Sequence, residues 1–280
     1  MSEQKVWFVT GANRGIGADT VKAALEAGHR VVATARKPET IEAAVGTFEN
    51  LFAVALDITD EEQAQASVDA ALARFGRIDV LVNNAGYGQL GLFEETSLDL
   101  IRKQFETNTF GTMTVTRAVL PVMREQGSGH IFTITSISGT IGVTGSGTYS
   151  ASKFAVEGWM ESLAVEVAPF GITATIVEPG FFNTDFLDTS SVVYGDITID
   201  AYAEQSAEFR RSQDDMNHQQ EGDPVKLAGA LLQLADEPKP PMRFIAGQDA
   251  VNVVETVILP RRHDDLTTWR DLSRSLRLSA

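Results

Sequence analysis

The chain has 280 residues, 43% hydrophobic and 22% charged, a balance that suits one α/β domain with a sizeable core. A formal net charge of -15 argues against general nucleic-acid binding, which needs a basic surface to displace counterions. With no cysteine there is no disulfide and no thiolate metal site, and His29, His130, His218 and His263 lack ligand spacing, so no metal is expected.

Met1 to Lys5 leads directly into an apolar strand, Lys5 to Thr10, with none of the three regions of a secretory leader. No apolar run approaches the roughly 18 residues of a membrane span, so a cytoplasmic protein is expected. Helical spacing follows from Gly15 to a glycine stop at Gly28, then strands at Arg30 to Thr34 and Leu51 to Leu56. A helix over Asp60 to Phe75 has Asp60 as its cap, and Ile78 to Val82 is the fourth strand. A long helix over Leu98 to Glu125, a strand at His130 to Thr135 and a helix over Tyr149 to Ala168 come next. Ile172 to Val177 is the sixth strand and Arg243 to Ala246 a short seventh.

Strands alternating with helices imply parallel pairing, because each crossover has to return across a face of the sheet. Continuously apolar strands imply a sheet covered on both faces. A single-domain, doubly wound Rossmann-type sheet follows, with ligands outside the carboxyl ends of its strands. Residues from about 185 to 221 are polar, irregular and partly helical, and are expected to cover the substrate side. Residues 248 to 280 form a polar C-terminal extension.

Between the first strand and first helix lies Thr10-Gly11-Ala12-Asn13-Arg14-Gly15-Ile16-Gly17. Gly11 suits a tight turn, Gly15 a close approach of backbone to pyrophosphate, and Gly17 close packing of helix on strand. Free N–H groups at the helix start favour phosphate. The second strand ends in Thr34-Ala35-Arg36-Lys37, without the acid that would hold two ribose hydroxyls. Arg36, with Arg14 inside the turn, points to a 2′-phosphate and hence to NADP(H) over NAD; otherwise Arg36 and Lys37 decorate an exposed loop.

At this point the sequence resembles the short-chain dehydrogenase/reductase family. The resemblance continues through Asp57-Ile58, Asn83-Asn84-Ala85-Gly86, Asn108, Ser136, Tyr149-Ser150-Ala151-Ser152-Lys153 and Pro179-Gly180 with Thr184. It implies that Asp57 and the Ile58 N–H meet an adenine, and that Asn84, Ala85 and Gly86 lie under a ribose. It also implies that Thr184 and the backbone near Phe182 fix the nicotinamide, with Gly11, Asn13, Arg14, Gly15, Ile16 and Gly17 at the phosphates. Long C-terminal tails are similar to those of members resembling hydroxysteroid or retinol dehydrogenases.

The implied reaction moves a hydride between the cofactor and a carbonyl or alcohol, with Tyr149 as acid or base. Lys153 lies four residues later on one helix face, and its ammonium is expected to lower the phenol pKa from about 10. Ser136 is expected to hold the substrate oxygen. Asn108, a poor helix former, is expected to distort its helix and link Lys153 to solvent through water. Tyr87, Gly142, Val143 and Phe186 are expected to line an apolar substrate pocket, though packing under the covering segment explains them nearly as well. The resemblance also implies a homodimer or homotetramer, with the helices around Asn108 and Tyr149 as a candidate interface. An NAD-linked dehydrogenase of the same fold and a non-catalytic NADP(H) sensor are the alternatives.

Overall fold

A computed structural model describes residues 3–278. In chain order its first half comprises β1 (Val6–Thr10), α1 (Gly15–Glu26), β2 (Arg30–Ala35), α2 (Ile41–Val45), β3 (Leu51–Ala55), α3 (Glu61–Phe75), β4 (Val80–Asn83), β5 (Gly88–Leu90), α4 (Leu98–Phe105) and α5 (Thr112–Gln126). The second half comprises β6 (Gly129–Ile134), α6 (Gly147–Val167), β7 (Ile172–Pro179), β8 (Val192–Tyr194), α7 (Ala203–Met216), α8 (Pro224–Asp236), β9 (Arg243–Ala246), α9 (Gln248–Val253) and α10 (Leu259–Ser275).

Seven strands form one parallel sheet in the order β3-β2-β1-β4-β6-β7-β9. Side chains alternate between two cores. Phe8, Leu81, Ile131 and Ile176 pack with Val68, Val115 and Met160 on one face. Trp7, Val31, Phe132 and Val177 pack with Val21 of α1 and Leu231 of α8 on the other. Both faces are buried, which accounts for the unbroken apolar runs of the strands. The chain steps outward from β1 through β2 to β3, then returns to place β4 on the opposite side of β1. A crevice opens at that reversal, beyond Thr10 and Asn83, where ligands of such sheets bind.

The long helix expected over Leu98 to Glu125 is interrupted. A π-helical turn, Glu106–Gly111, separates α4 from α5 and carries buried Asn108. Such bulges widen one turn and re-aim its side chains. Close approach to Ile58 requires Gly111 there, since a Cβ would stand 2.7 Å from Ile58 Cγ1. α2 and α8 are additional to the expected elements; Asp223 caps α8 by accepting from Val225 N at 2.9 Å. The covering segment contains β8, which pairs with β5 in a small second sheet, and the exposed helix α7. The C-terminal extension is helical: α9, a π-helical turn at Val254–Ile258, then α10. Among the described residues, no helix is long and apolar enough to cross a membrane.

Candidate active site

The turn between β1 and α1 is held from below by β4. Asn84 donates through Nδ2 to the carbonyls of Thr10 and Gly11, both at 3.0 Å, while the main-chain N–H groups of Asn84 and Ala85 donate to Thr10 Oγ1. Gly11 has φ +65° and Gly15 has φ +51°, left-handed values that other residues rarely adopt. A Cβ at Gly17 would run into Gly11 O and Asn84 Nδ2. Three glycines therefore form a cradle of bare backbone at a helix start, which fits a pyrophosphate. Asn13, Arg14 and Ile16 lie within it.

Arg14 is not aimed into open space: its guanidinium donates to Ser190 Oγ at 3.0 Å, tying the turn to the covering segment. Arg36 is exposed just beyond β2, beside the glycine turn, where Ala12 N donates to Thr34 O at 2.9 Å. Asp57 uses one carboxylate oxygen to accept from Thr59 N and Oγ1, and Ile58 is buried behind it.

Across the crevice, β7 ends in Pro179 and the chain turns at Gly180. Asp249 of α9 accepts from Phe181 N at 2.7 Å, and a Cβ on Gly180 would strike its carboxylate. Sequence reasoning missed Asp249 because nothing local links it to a turn 68 residues away; the acid two residues after Gly247 is the faint signal. Phe182 bridges to Gly222 and packs into the core, and Thr184 Oγ1 accepts from Phe186 N at 3.3 Å. The two turns approach closely, since a Cβ on Gly15 would lie 3.4 Å from the Thr184 side chain.

Ser136, Tyr149 and Lys153 come together over the ends of β4 and β6. Ser136 follows β6, its Oγ accepting from Ser138 N at 3.1 Å. Lys153 is 7% exposed and donates from Nζ to Ile134 O at 2.9 Å, and Nζ stands 5.8 Å from the centre of the Tyr149 ring. Asn108 spends both ends of its amide on one neighbour: Oδ1 accepts from Tyr87 N at 3.1 Å and Nδ2 donates to Tyr87 O at 3.0 Å. Its side chain thus fixes the turn after Gly86.

Burial pushes Tyr149 up to about 12, the Ser136 hydroxyl working the other way. Burial also brings Lys153 down to about 8, opposed by the charge of Glu157. At neutral pH the phenol keeps its proton and is equipped to give one away.

Residues 5–192 match the family model described as short chain dehydrogenase. The chain belongs to that family. This short-chain dehydrogenase is 40% identical to Oxidoreductase BOA17 of Botryotinia fuckeliana over 96% of its own length and 98% of the relative's. It is 36% identical to a 3-ketodihydrosphingosine reductase of Bacteroides thetaiotaomicron, covering 88% of each chain. A solved short-chain dehydrogenase from Streptomyces avermitilis superposes with a TM-score of 0.88 at 41% identity, over 99% of this chain and 100% of that one. Solved chains of the same fold include ones holding NAD and ones holding NADP. The protein is accordingly an oxidoreductase of the short-chain dehydrogenase family.

On its substrate side, this short-chain dehydrogenase places Leu90, Tyr149, Leu187 and Val192 in a small apolar cluster with Phe186, Phe209 and Met216 packed against it. Phe186 lies over Gly88 and 5.5 Å from the Tyr149 ring. The expected pocket is thereby divided. Phe186 stays near the phenol and Tyr87 is held by Asn108, whereas Val143 is 54% exposed and Gly142 lines a separate groove of about 250 Å³ with Phe154, Ile258, Arg261 and Arg262. Phe209 of α7 packs on Gly145.

Proposed function

We propose that this protein reversibly reduces a carbonyl of a hydrophobic small molecule to a secondary or primary alcohol, with NADP(H) as its cofactor and Tyr149 as its proton donor. One observation carries the reading: a buried phenol stands beside the Ser136 hydroxyl, with Lys153 one helical turn away. When bound, the dinucleotide supplies or accepts the hydride. The chain's own residues do the rest. Ser136 steadies the substrate oxygen, Tyr149 gives it a proton as negative charge develops, and the Lys153 ammonium stabilises the phenolate left behind. Asn108 keeps the Tyr87 turn in place beside them.

Gly11, Asn13, Gly15, Ile16 and Gly17 cradle the pyrophosphate, and Asp57 with Ile58 meets the adenine. Asn84, Ala85 and Gly86 support a ribose, and Pro179, Gly180, Phe182 and Thr184 face the nicotinamide. Arg36 is the cation for a 2′-phosphate, because it is exposed at the end of β2 where no acid competes. Arg14, committed to Ser190, serves the closure of the covering segment instead. The apolar surroundings of Tyr149 favour a hydrophobic ketone or aldehyde, a class to which the substrate named for the Bacteroides relative belongs. Phe110 and Phe154, 52% and 42% exposed beside α5 and on α6, support a homodimer or homotetramer built through these helices.

A cofactor-consumption screen with NADPH and NADH across apolar aldehydes and ketones tests the reading. Exchanging Ala35 for Asp and Arg36 for Ile is expected to lower the ratio of NADPH to NADH efficiency at least about tenfold, the worth of one charge-assisted hydrogen bond. An unchanged ratio would remove Arg36 from its role.

A further inference from the structure

The mechanism leaves unused the most heavily charged part of the interior. Behind α6, the guanidinium of Arg243 from β9 bonds three carboxylates at once. Its Nη1 reaches Glu157 of α6, and Glu178 of β7 at 2.7 Å, while Nη2 reaches Glu161 of α6 at 2.8 Å. The side chains of Glu157 and Glu178 are 5% and 2% exposed, that of Glu161 56%. Two buried carboxylates on one guanidinium leave a negative charge unmatched. Burying ions is costly unless they are paired or take up a proton, so a second buried cation nearby eases the excess charge. Lys153 is such a cation: it is buried and lies one helical turn before Glu157, on the same face of α6.

Glu157 also brackets Ser136 in the chain. On one side it accepts from Thr135 Oγ1 at 2.5 Å; on the other it packs on Gly139, where a Cβ would stand 2.9 Å from Glu157 Cγ. Glu178 immediately precedes the Pro179-Gly180 turn. The cluster therefore touches the segments that carry Ser136, Lys153 and the far wall of the crevice.

We propose that Glu157, clamped by Arg243, is a positioning residue that holds the Lys153 ammonium charged and fixes the strand end bearing Ser136. This inference rests on the reading of Tyr149 and Lys153 given above. The groups acting on Glu157 are Thr135 from β6, Glu178 from β7 and Arg243 from β9, with Lys153 one turn before it and Glu161 one turn after it on its own helix; the charged group acting on Lys153 is Glu157. In support, burial raises Glu157 to about 7 while the Glu157 charge opposes the fall of Lys153.

The test is a ¹³C NMR titration of the Lys153 side chain, assigned with Lys153→Arg, in full-length native protein and Glu157→Gln. The variant is expected to lower the Lys153 midpoint by about one pH unit, and to move the basic limb of the kcat/KM profile the same way. Glu161→Gln, which loosens the same guanidinium from its exposed side, should leave the midpoint in place. If Glu157→Gln does not fold, Thr135→Val provides the second probe, with a smaller shift in the same direction. A Lys153 midpoint unmoved in every folded variant would overturn the proposal, and a fall in thermal stability alone would show a structural clamp. Because the titration needs no turnover, lack of carbonyl activity in native protein would count against the proposed function and leave this result distinct.

Discussion

Asp249 and Phe181 are joined by a 2.7 Å hydrogen bond from the main-chain N–H of Phe181 to the Asp249 carboxylate, and the same carboxylate occupies the space beside Gly180. The first turn of α9 thereby sets the course of the chain leaving β7. A Gly180→Ala variant is expected to weaken NADPH binding by about tenfold, since overpacking costs about 1–3 kcal/mol and here displaces a turn of the crevice. Shortening the acid in a Gly180→Ala/Asp249→Ala pair should restore part of the loss. Fluorescence titration of NADPH measures both; equal affinities for native protein and Gly180→Ala would show that the turn does not face the cofactor.

Asn108 provides a second fixed point. Replacing it by Ala leaves the N–H of Tyr87 without its side-chain partner and the C=O with Gln104 Nε2 alone, a loss of about 1–3 kcal/mol. The thermal midpoint should fall by several degrees, and KM for the carbonyl should rise as the Tyr87 turn loosens. Differential scanning calorimetry beside steady-state kinetics checks the pair of effects. An unaltered midpoint would mean that the amide's bonds to Tyr87 contribute nothing to the fold.

His130 gives a pH dependence of stability. It is buried against Phe132, its Nε2 lies 2.9 Å from Thr175 Oγ1, and burial pushes its pKa down to about 3. The unfolded chain takes up a proton near pH 6.5 that the folded chain refuses until about 3. The stability this confers is present above pH 6.5 and lost as pH falls through the window between these values. The slope is about 1.4 kcal/mol per pH unit. Urea denaturation between pH 4 and 7 should show this slope shrinking in His130→Gln, and identical slopes would contradict the assignment.

The reduction rate should be level through neutrality and decline as pH passes about 8, where Lys153 releases its proton. Loss of the ammonium removes the charge that stabilises the phenolate formed when Tyr149 gives up its proton. Lys153→Met should lower kcat throughout and abolish that inflection. A native profile flat to pH 10 would contradict the role given to Lys153.

The sheet was legible because each strand is apolar without interruption and each crossover has helical spacing, properties read from neighbouring residues. Ser136, Tyr149, Lys153 and the three glycines were legible for the same reason: strand ends and helix starts place them. What escaped depends on distant contacts. The Asp249 and Arg243 pairings join elements far apart in sequence, and the β5–β8 pairing joins a three-residue strand to a polar segment with no periodicity. The Lys153 spacing is visible in sequence, while the burial of the Tyr149 phenol and the Ile134 carbonyl that Lys153 meets are not. Asn108 was expected to distort its helix, and the π-helical turn is there, but the partner of its amide is Tyr87.

Proton donation by Tyr149 during hydride transfer is tested most directly by single-turnover NADPH oxidation with a reactive carbonyl, for native protein beside Tyr149→Phe. NADPH affinity is expected to agree within about twofold, while the rate falls at least about 100-fold, the lower range for losing a general acid. Equal single-turnover rates in the two proteins would contradict the account.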